Sequence, residues 1–344
     1  MTVVEIASFA EGVLAGSGMA REQAQAVAAF VAAAERDDCP SHGLYRLLGM
    51  LRTIAGGKVG LAAEPTVSFP RSGIVAVDAH YGFSPLAFAI GRPLLEAQAR
   101  ATGLAALVVR NCFHFSALWA EVEPLAEAGF AALAMTPSHS WVAPAGGKQP
   151  VFGTNPIAFG FPRTGHFPFV FDFATSAVSR GEIELHGRAG KQVPLGWGVD
   201  TDGASTTDPA AILKGAMSTF GGHKGAALAM MVELLGAALI GDLTSMESLA
   251  FDAGDGGAPM HGEIVIAFDP AGFAGTVGED HHARAETIFG AVTSQGLRLP
   301  SDRRYAARQL SLREGVRVPR ALLDDIAAAL NKPAATQGDA FSVA

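Results

Sequence analysis

The stretch Val151–Asp200, VFGTNPIAFGFPRTGHFPFVFDFATSAVSRGEIELHGRAGKQVPLGWGVD, sets polar turns at the ends of buried strands. Gly153-Thr154-Asn155-Pro156 is a turn between two apolar runs. Phe169-Val170-Phe171-Asp172-Phe173 reads as a buried strand that stops at Ala174-Thr175-Ser176. Arg180-Gly181-Glu182 follow at once, before a new alternating run. Backbone amides, hydroxyls and one carboxylate thus gather where a small molecule can be held.

Upstream, Thr2–Ala15 and Arg21–Arg36 are Ala-rich amphipathic helices separated by Gly16-Ser17-Gly18. Pro40 ends the second, because the residue before a proline is pushed out of the α region. Ser41 then stands where an N-cap would, ahead of a third helix over His42–Ile54. His42 and Arg46 are four residues apart and share one face of that helix. Cap and site readings of Ser41 both stand, as do solvated-face and site readings of His42 and Arg46. Gly73–His80 alternates like a strand, Leu86–Arg100 is a helix, and Leu104–Arg110 is a continuous apolar run, hence a buried strand. That strand ends at Asn111-Cys112-Phe113-His114-Phe115, before a helix opened by Ser116 and running over Leu118–Ala128. A histidine there suits a ligand, although one among phenylalanines is more often a core residue.

Phe130–Thr136 repeats the strand pattern. Further on, Gly221-Gly222-His223-Lys224-Gly225 feeds an apolar helix, Ala226–Ile240. Amides at such a junction can hold phosphate, or the glycines can serve close packing. The spacing is not that of a P-loop, and no G-x-G-x-x-G is present, so neither nucleotide hydrolysis nor a Rossmann domain is supported. Ser248–Met260 reads as a Gly/Asp-rich loop, Gly262–Phe268 as a strand, Glu279–Gln295 as a helix, and Pro319 as the first residue of the last helix. Helices at both ends and strands in the middle predict an α/β (mixed α+β) fold whose terminal segments pack together. Residues 332–344 are expected to form a disordered tail.

Composition narrows the function. A chain of 344 residues, 49% hydrophobic and 17% charged, buries a large core and is not a disordered protein. A net charge of −8 disfavours nucleic acid or an anionic membrane as partner. Two cysteines, Cys39 and Cys112, without a C-x-x-C, support neither a disulfide framework nor a zinc cage, and no metal is expected. The start, MTVVEIASFAEGVL, lacks a basic n-region, and no apolar run reaches spanning length, so the expected location is the cytoplasm.

Six ordered motifs together resemble the malate/L-lactate dehydrogenase family of non-Rossmann NAD(P)-dependent oxidoreductases. They are Ser41-His42-Gly43 with Arg46, Asn111-x-x-His114-Phe115, Gly153-Thr154-Asn155-Pro156, Asp172-x-Ala174-Thr175-Ser176, Gly196-Trp197 and Gly221-Gly222-x-Lys224-Gly225. The resemblance implies a cofactor domain on a largely antiparallel sheet and a homodimer. It also implies a helical domain over 1–60 plus 298–331, a substrate and interface domain over 61–120 plus 270–297, and a cofactor domain over 121–269. Within the family, His114-Phe115-Ser116-Ala117-Leu118-Trp119 and Ser41-His42-Gly43-Leu44-Tyr45-Arg46 are most similar to the Δ1-piperideine-2-carboxylate/Δ1-pyrroline-2-carboxylate reductases. Those enzymes reduce cyclic imino acids with NADPH, NADH being the alternative carrier.

Imine reduction needs a carboxylate anchor, a hydride donor over the C=N carbon, and a proton for the nitrogen. Arg46 suits the anchor, since guanidinium takes carboxylate through two parallel hydrogen bonds. His42 suits the proton donor, with an ordinary pKa near 6.5. The resemblance adds Thr154 on the other side of the substrate and a relay through Ser41 and an acid, for which Glu182 is the match where close relatives are expected to carry aspartate. It places His114, Phe115, Ser116, Ala117 and Leu118 against the nicotinamide. The resemblance also implies that Asp172, Phe173, Ala174, Arg180 and Gly181 hold the cofactor, with His223 or Lys224 outside. Arg303 and Arg304 match the charge of an NADPH 2′-phosphate. A 2-hydroxy-acid dehydrogenase of malate, lactate or ureidoglycolate type would use the same residues, and a non-catalytic ligand-binding homologue is the second alternative.

Overall fold

The computed structural model describes residues 1–274 and 281–331; the tail expected over 332–344 and the helix start expected at Glu279 lie outside them. Helices α1 (Val3–Gly16) and α2 (Arg21–Arg36) open the chain, and Thr2 closes a capping box with Glu5. A short 3-10 turn at Pro40–His42 leads into α3 (Tyr45–Ala55). Then come β1 (Thr66–Arg71), β2 (Ile74–Asp78), α4 (Ser84–Thr102), β3 (Leu104–Phe113) and α5 (Trp119–Glu127). The middle of the chain holds β4 (Ala131–Met135), β5 (Ile157–Phe161), β6 (Phe169–Phe173), α6 (Arg180–Arg188), β7 (Gly198–Val199), α7 (Pro209–Lys214) and β8 (Ala216–Met217). It closes with α8 (His223–Glu233), α9 (Ser245–Asp252), β9 (Met260–Phe268), α10 (Pro270–Ala274), α11 (His281–Thr293), α12 (Asp302–Glu314) and α13 (Arg320–Leu330).

One seven-stranded sheet, ordered β1-β2-β3-β9-β4-β5-β6, carries the architecture. Its pairings are antiparallel except β2 with β3, which α4 joins as a crossover. The mixed α/β class and the mostly antiparallel sheet agree with expectation. Segments 61–120 and 121–269 share this sheet, because β3 of the first pairs with β9 of the second, Val109 opposite Glu263. Strand β9 is buried along nearly its whole length, with α4 and α5 among the helices packed on it. The main core joins the inner faces of α1, α2 and α3 to those strands through Leu14, Val31, Leu47, Leu107, Val109 and Val265.

The terminal segments meet as expected. The Met1 amino group donates to the Val316 carbonyl at 2.8 Å, the Val316 amide returns a bond to Met1, and α13 lies against α1 and α3. Arg304 and Arg308 of α12 form a buried ion cluster with Asp37, at the end of α2, and Glu123 of α5.

Five local expectations are corrected. Ser41 caps no helix: it sits inside the 3-10 turn, and α3 begins only at Tyr45. The run after Glu182 is helical rather than alternating, since Ser179 accepts the Glu182 amide and Arg180 pairs with Glu184 one turn on. Ser248 to Asp252 belongs to α9, where Thr244 and Glu247 form a capping box legible in the sequence. Ser116 does not open α5; the Trp119 amide donates instead to Asp172 across the fold, at 3.0 Å. Pro319 stands one residue ahead of α13, as its N-cap, rather than at its first position. The apolar helix after Gly225 does form, as α8 continued by a π turn over Leu234–Ala238.

Candidate active site

The turn that carries His42 is built from below by a carboxylate. Glu35, buried on α2, accepts the Leu44 amide at 2.8 Å, and a Cβ on Gly43 would stand 2.2 Å from its Oε1. Gly43 is therefore required by close approach. On top of this turn the Ser41 hydroxyl lies 3.1 Å from His42 Nδ1. Arg46, half-buried on the first turn of α3, has a buried Nε with no hydrogen-bond partner. An unpaired buried guanidinium nitrogen is costly unless a ligand completes it. Burial, then the Arg46 charge, then His114 push the His42 pKa down to about 3. His42 is thus a neutral imidazole at pH 7, which changes its expected part: it does not hold its own proton ready.

His114 stands at the end of β3 behind this turn. It is buried with Glu121 of α5 and Glu263 of β9, the three offering ligand atoms all within 4.8 Å of one another. His114 Nε2 lies 3.7 Å from Glu263 Oε2, and Ser116 Oγ lies 3.2 Å from Glu121 Oε1 and 3.5 Å from His114 Nε2. Phe115 packs edge-on against Phe30 and Phe83, while Ala117 and Leu118 are enclosed.

The Val151–Asp200 stretch carries the next group of candidate residues. Asn155, with φ 38°, donates to Glu233 at 2.8 Å and to the Ala229 carbonyl at 3.0 Å, and accepts from Ser245. This buried lock holds Thr154, whose carbonyl accepts the Thr175 amide and hydroxyl at 2.8 and 3.0 Å. Burial pushes the Asp172 carboxyl up to about 6, against the Trp119 amide and the Arg304 and His114 charges. Phe173 is exposed beside Phe220 and Ala174 partly so, while the Arg180 guanidinium lies 4.5 Å from the Trp141 ring centre with Gly181 open beside it. His223 and Lys224 are exposed at the start of α8. Before them Gly221 and Gly222 have φ of 56° and 61° and open space where a Cβ would project. That open, amide-lined turn fits a phosphate of a dinucleotide.

Two candidate residues are not where they were expected. Glu182 is exposed on α6, 3.5 Å from His186, and makes no ion pair with His42 within this chain. The groups that act on His42 are Ser41, Arg46 and His114. Arg304 cannot read a phosphate, because it is buried between Asp37 and Glu123 and stacked 4.3 Å over Trp119. Arg303, its neighbour, is exposed. Glu35, Glu121, Glu233 and Glu263 were missed. Glu263 carried a signal, a charge in the middle of the apolar run GEIVIAF, which a buried strand rarely holds without purpose.

A half-buried His42–Arg46 pair, an open glycine turn at Gly221-Gly222 and a mostly antiparallel, non-Rossmann sheet suit a nicotinamide-dependent oxidoreductase. The family model for malate/L-lactate dehydrogenase matches residues 1–327, and the chain belongs to that family. It is similar to a Δ1-pyrroline-2-carboxylate/Δ1-piperideine-2-carboxylate reductase of Pseudomonas aeruginosa, 57% identical over 96% of this chain and 99% of that protein. A Δ1-pyrroline-2-carboxylate reductase of Pseudomonas fluorescens is 55% identical over 95% and 97%. The crystal structure of Δ1-piperideine-2-carboxylate reductase from Pseudomonas syringae superimposes with a TM-score of 0.91 at 40% identity, over 96% of this chain and 99% of that one. Among the described residues, no helix is long and apolar enough to cross a membrane.

Proposed function

We propose that this protein reduces Δ1-piperideine-2-carboxylate to L-pipecolate and Δ1-pyrroline-2-carboxylate to L-proline, using NADPH. The observation that carries the reading is the unpaired, buried Nε of Arg46 beside a neutral His42. A ring carboxylate paired to Arg46 completes the guanidinium, offsets the Arg46 charge that adds to burial in depressing His42, and brings a negative charge near the imidazole. Substrate binding then raises the His42 pKa, so His42 takes up a proton as the substrate arrives and can deliver it to the ring nitrogen. Ser41 orients the imidazole through Nδ1, and Thr154 closes the site from the other side. When bound, the nicotinamide supplies the hydride for the C=N carbon, so one hydride and one proton reach each imine. His114, Phe115 and Ser116 shape its pocket, Ala117 and Leu118 closing it from behind. Asp172, Phe173, Ala174, Arg180 and Gly181 border the cofactor channel. His223, Lys224 and Arg303 supply its outer charge.

The exposed side chains of Met230, Leu234 and Leu239, along α8 and its π turn, suit burial against a second copy, and a homodimer is proposed. Glu182 remains as the acid only if another copy brings it to His42. The test is NADPH oxidation with both cyclic imines against oxaloacetate and pyruvate, repeated with NADH. Faster turnover of the 2-oxo acids would replace this reading with a hydroxy-acid dehydrogenase.

A further inference from the structure

His114, Glu121 and Glu263 lie outside the residues that touch substrate in the reading above, yet they form a chemically demanding group. Both carboxylates and the imidazole are at least nine-tenths buried. Three of the four carboxylate oxygens, Glu121 Oε2 and both of Glu263, have no hydrogen-bond partner. Two charged carboxylates cannot share such a dry space unless protons or cations compensate them. The groups facing the cluster supply little positive charge. Asp172 stands toward it from β6, Cys112 and His261 from β3 and β9, and Asp242 near Cys112. His42 faces His114 from the 3-10 turn with Arg46 behind it, and Arg304 lies beyond Asp172. His261 is occupied by Thr136 Oγ1 and the Gly262 carbonyl, both at 3.0 Å, and burial holds it neutral. Burial and the facing Glu263 and Asp172 carboxylates push the Glu121 carboxyl well up.

We propose that Glu121 and Glu263 share a stored proton around His114, and that this store, not His42 alone, sets the pH range of turnover. The inference rests on the imine-reductase reading. Each turnover consumes one proton at the ring nitrogen. The free site keeps His42 neutral, so that proton must be taken up or relayed when substrate binds. Ser116 lies between Glu121 and His114, and the charge at His114 acts on His42, so the protonation of the pair bears on the site. After transfer the pair is reprotonated from solvent before the next turnover. Glu121 and Glu263 are positioning residues, acting through His114. The same three donors could take a divalent cation, and the test separates that outcome.

The first measurement uses the free full-length protein, without substrate, so it stands whether or not the imine reading does. The infrared spectrum at pH 7 should show the carbonyl band of a protonated carboxylic acid, lost in both Glu121→Gln and Glu263→Gln. The second is the pH profile of kcat/KM. Glu263→Gln removes the like charge that helps raise the Glu121 carboxyl, so the alkaline limb should move down by about one pH unit or more in that variant. Glu263→Asp, which keeps the charge, should restore the limb to within a few tenths of a unit. An absent band in the wild-type protein overturns the proposal, and needs no variant to fold. So does an unmoved limb, or one stoichiometric divalent ion bound by the wild type and lost in Glu263→Gln. A band with no imine turnover would refute the function and leave the shared proton in place.

Discussion

Replacing Arg304 by Gln separates two roles for one residue. As a reader of the 2′-phosphate, its loss would raise the KM for NADPH and leave stability alone. The structure gives the opposite expectation. Arg304 donates to Asp37 Oδ2 at 2.7 Å and to Glu123, stacks on Trp119, and shares both carboxylates with Arg308. Glutamine cannot replace the fork, so buried Glu123 is left with Arg308 alone, while Asp37 keeps Arg308 and Arg36. Removing one partner of a buried ion pair costs about 3–5 kcal/mol. Unfolding entropy near 2.1 cal/mol/K per residue makes this chain's total about 0.7 kcal/mol/K. The melting temperature should therefore fall by about 4–7 °C. The linkage has a sign as well. Arg308 and Arg36 hold the Asp37 carboxyl below its usual range, so its contribution is present above the unfolded value and lost as pH falls through the folded one. Arg308→Gln, which removes one of those two arginines, should narrow the stability gap between neutral and acid pH. Differential scanning calorimetry at several pH values, with KM for NADPH measured alongside, decides the matter. An unchanged melting temperature with a tenfold higher KM would refute the clamp and return Arg304 to the cofactor.

Three further outcomes follow from the site. Arg46→Lys should raise KM for either cyclic imine by about 10- to 100-fold, because a point charge replaces a two-pronged anchor, and steady-state kinetics reads it directly. The His42 ring should titrate at higher pH once a carboxylate pairs Arg46, since His42 is neutral in the free protein; NMR of its ring protons with and without L-proline measures this, and an unmoved titration contradicts the assigned roles. Gly43→Ala should lower kcat at least tenfold while keeping the protein folded, because its Cβ would press on Glu35 and displace the turn that holds His42; circular dichroism together with turnover separates this from unfolding.

Local pattern determined much of this protein from sequence. The helical periods of Arg21–Arg36 and Leu118–Ala128 and the apolar runs of Leu104–Arg110 and Gly262–Phe268 each encode their own conformation within a few residues. The six motifs also led to the family, because side chains that hold a ligand are limited by its chemistry. The expectations for α6 and α9 departed from the structure because these helices are set by the side-chain caps Ser179 and Thr244 rather than by a clear apolar period. What only the tertiary structure decided is pairing between distant segments. Asp37 meets Arg304 and Arg308 across most of the chain, Asp172 caps α5, and Glu263 meets His114 through the register of β3 on β9. No local periodicity encodes those partners. Their charges compensate one another only after the core has brought them together and excluded water, so their pairings are consequences of packing.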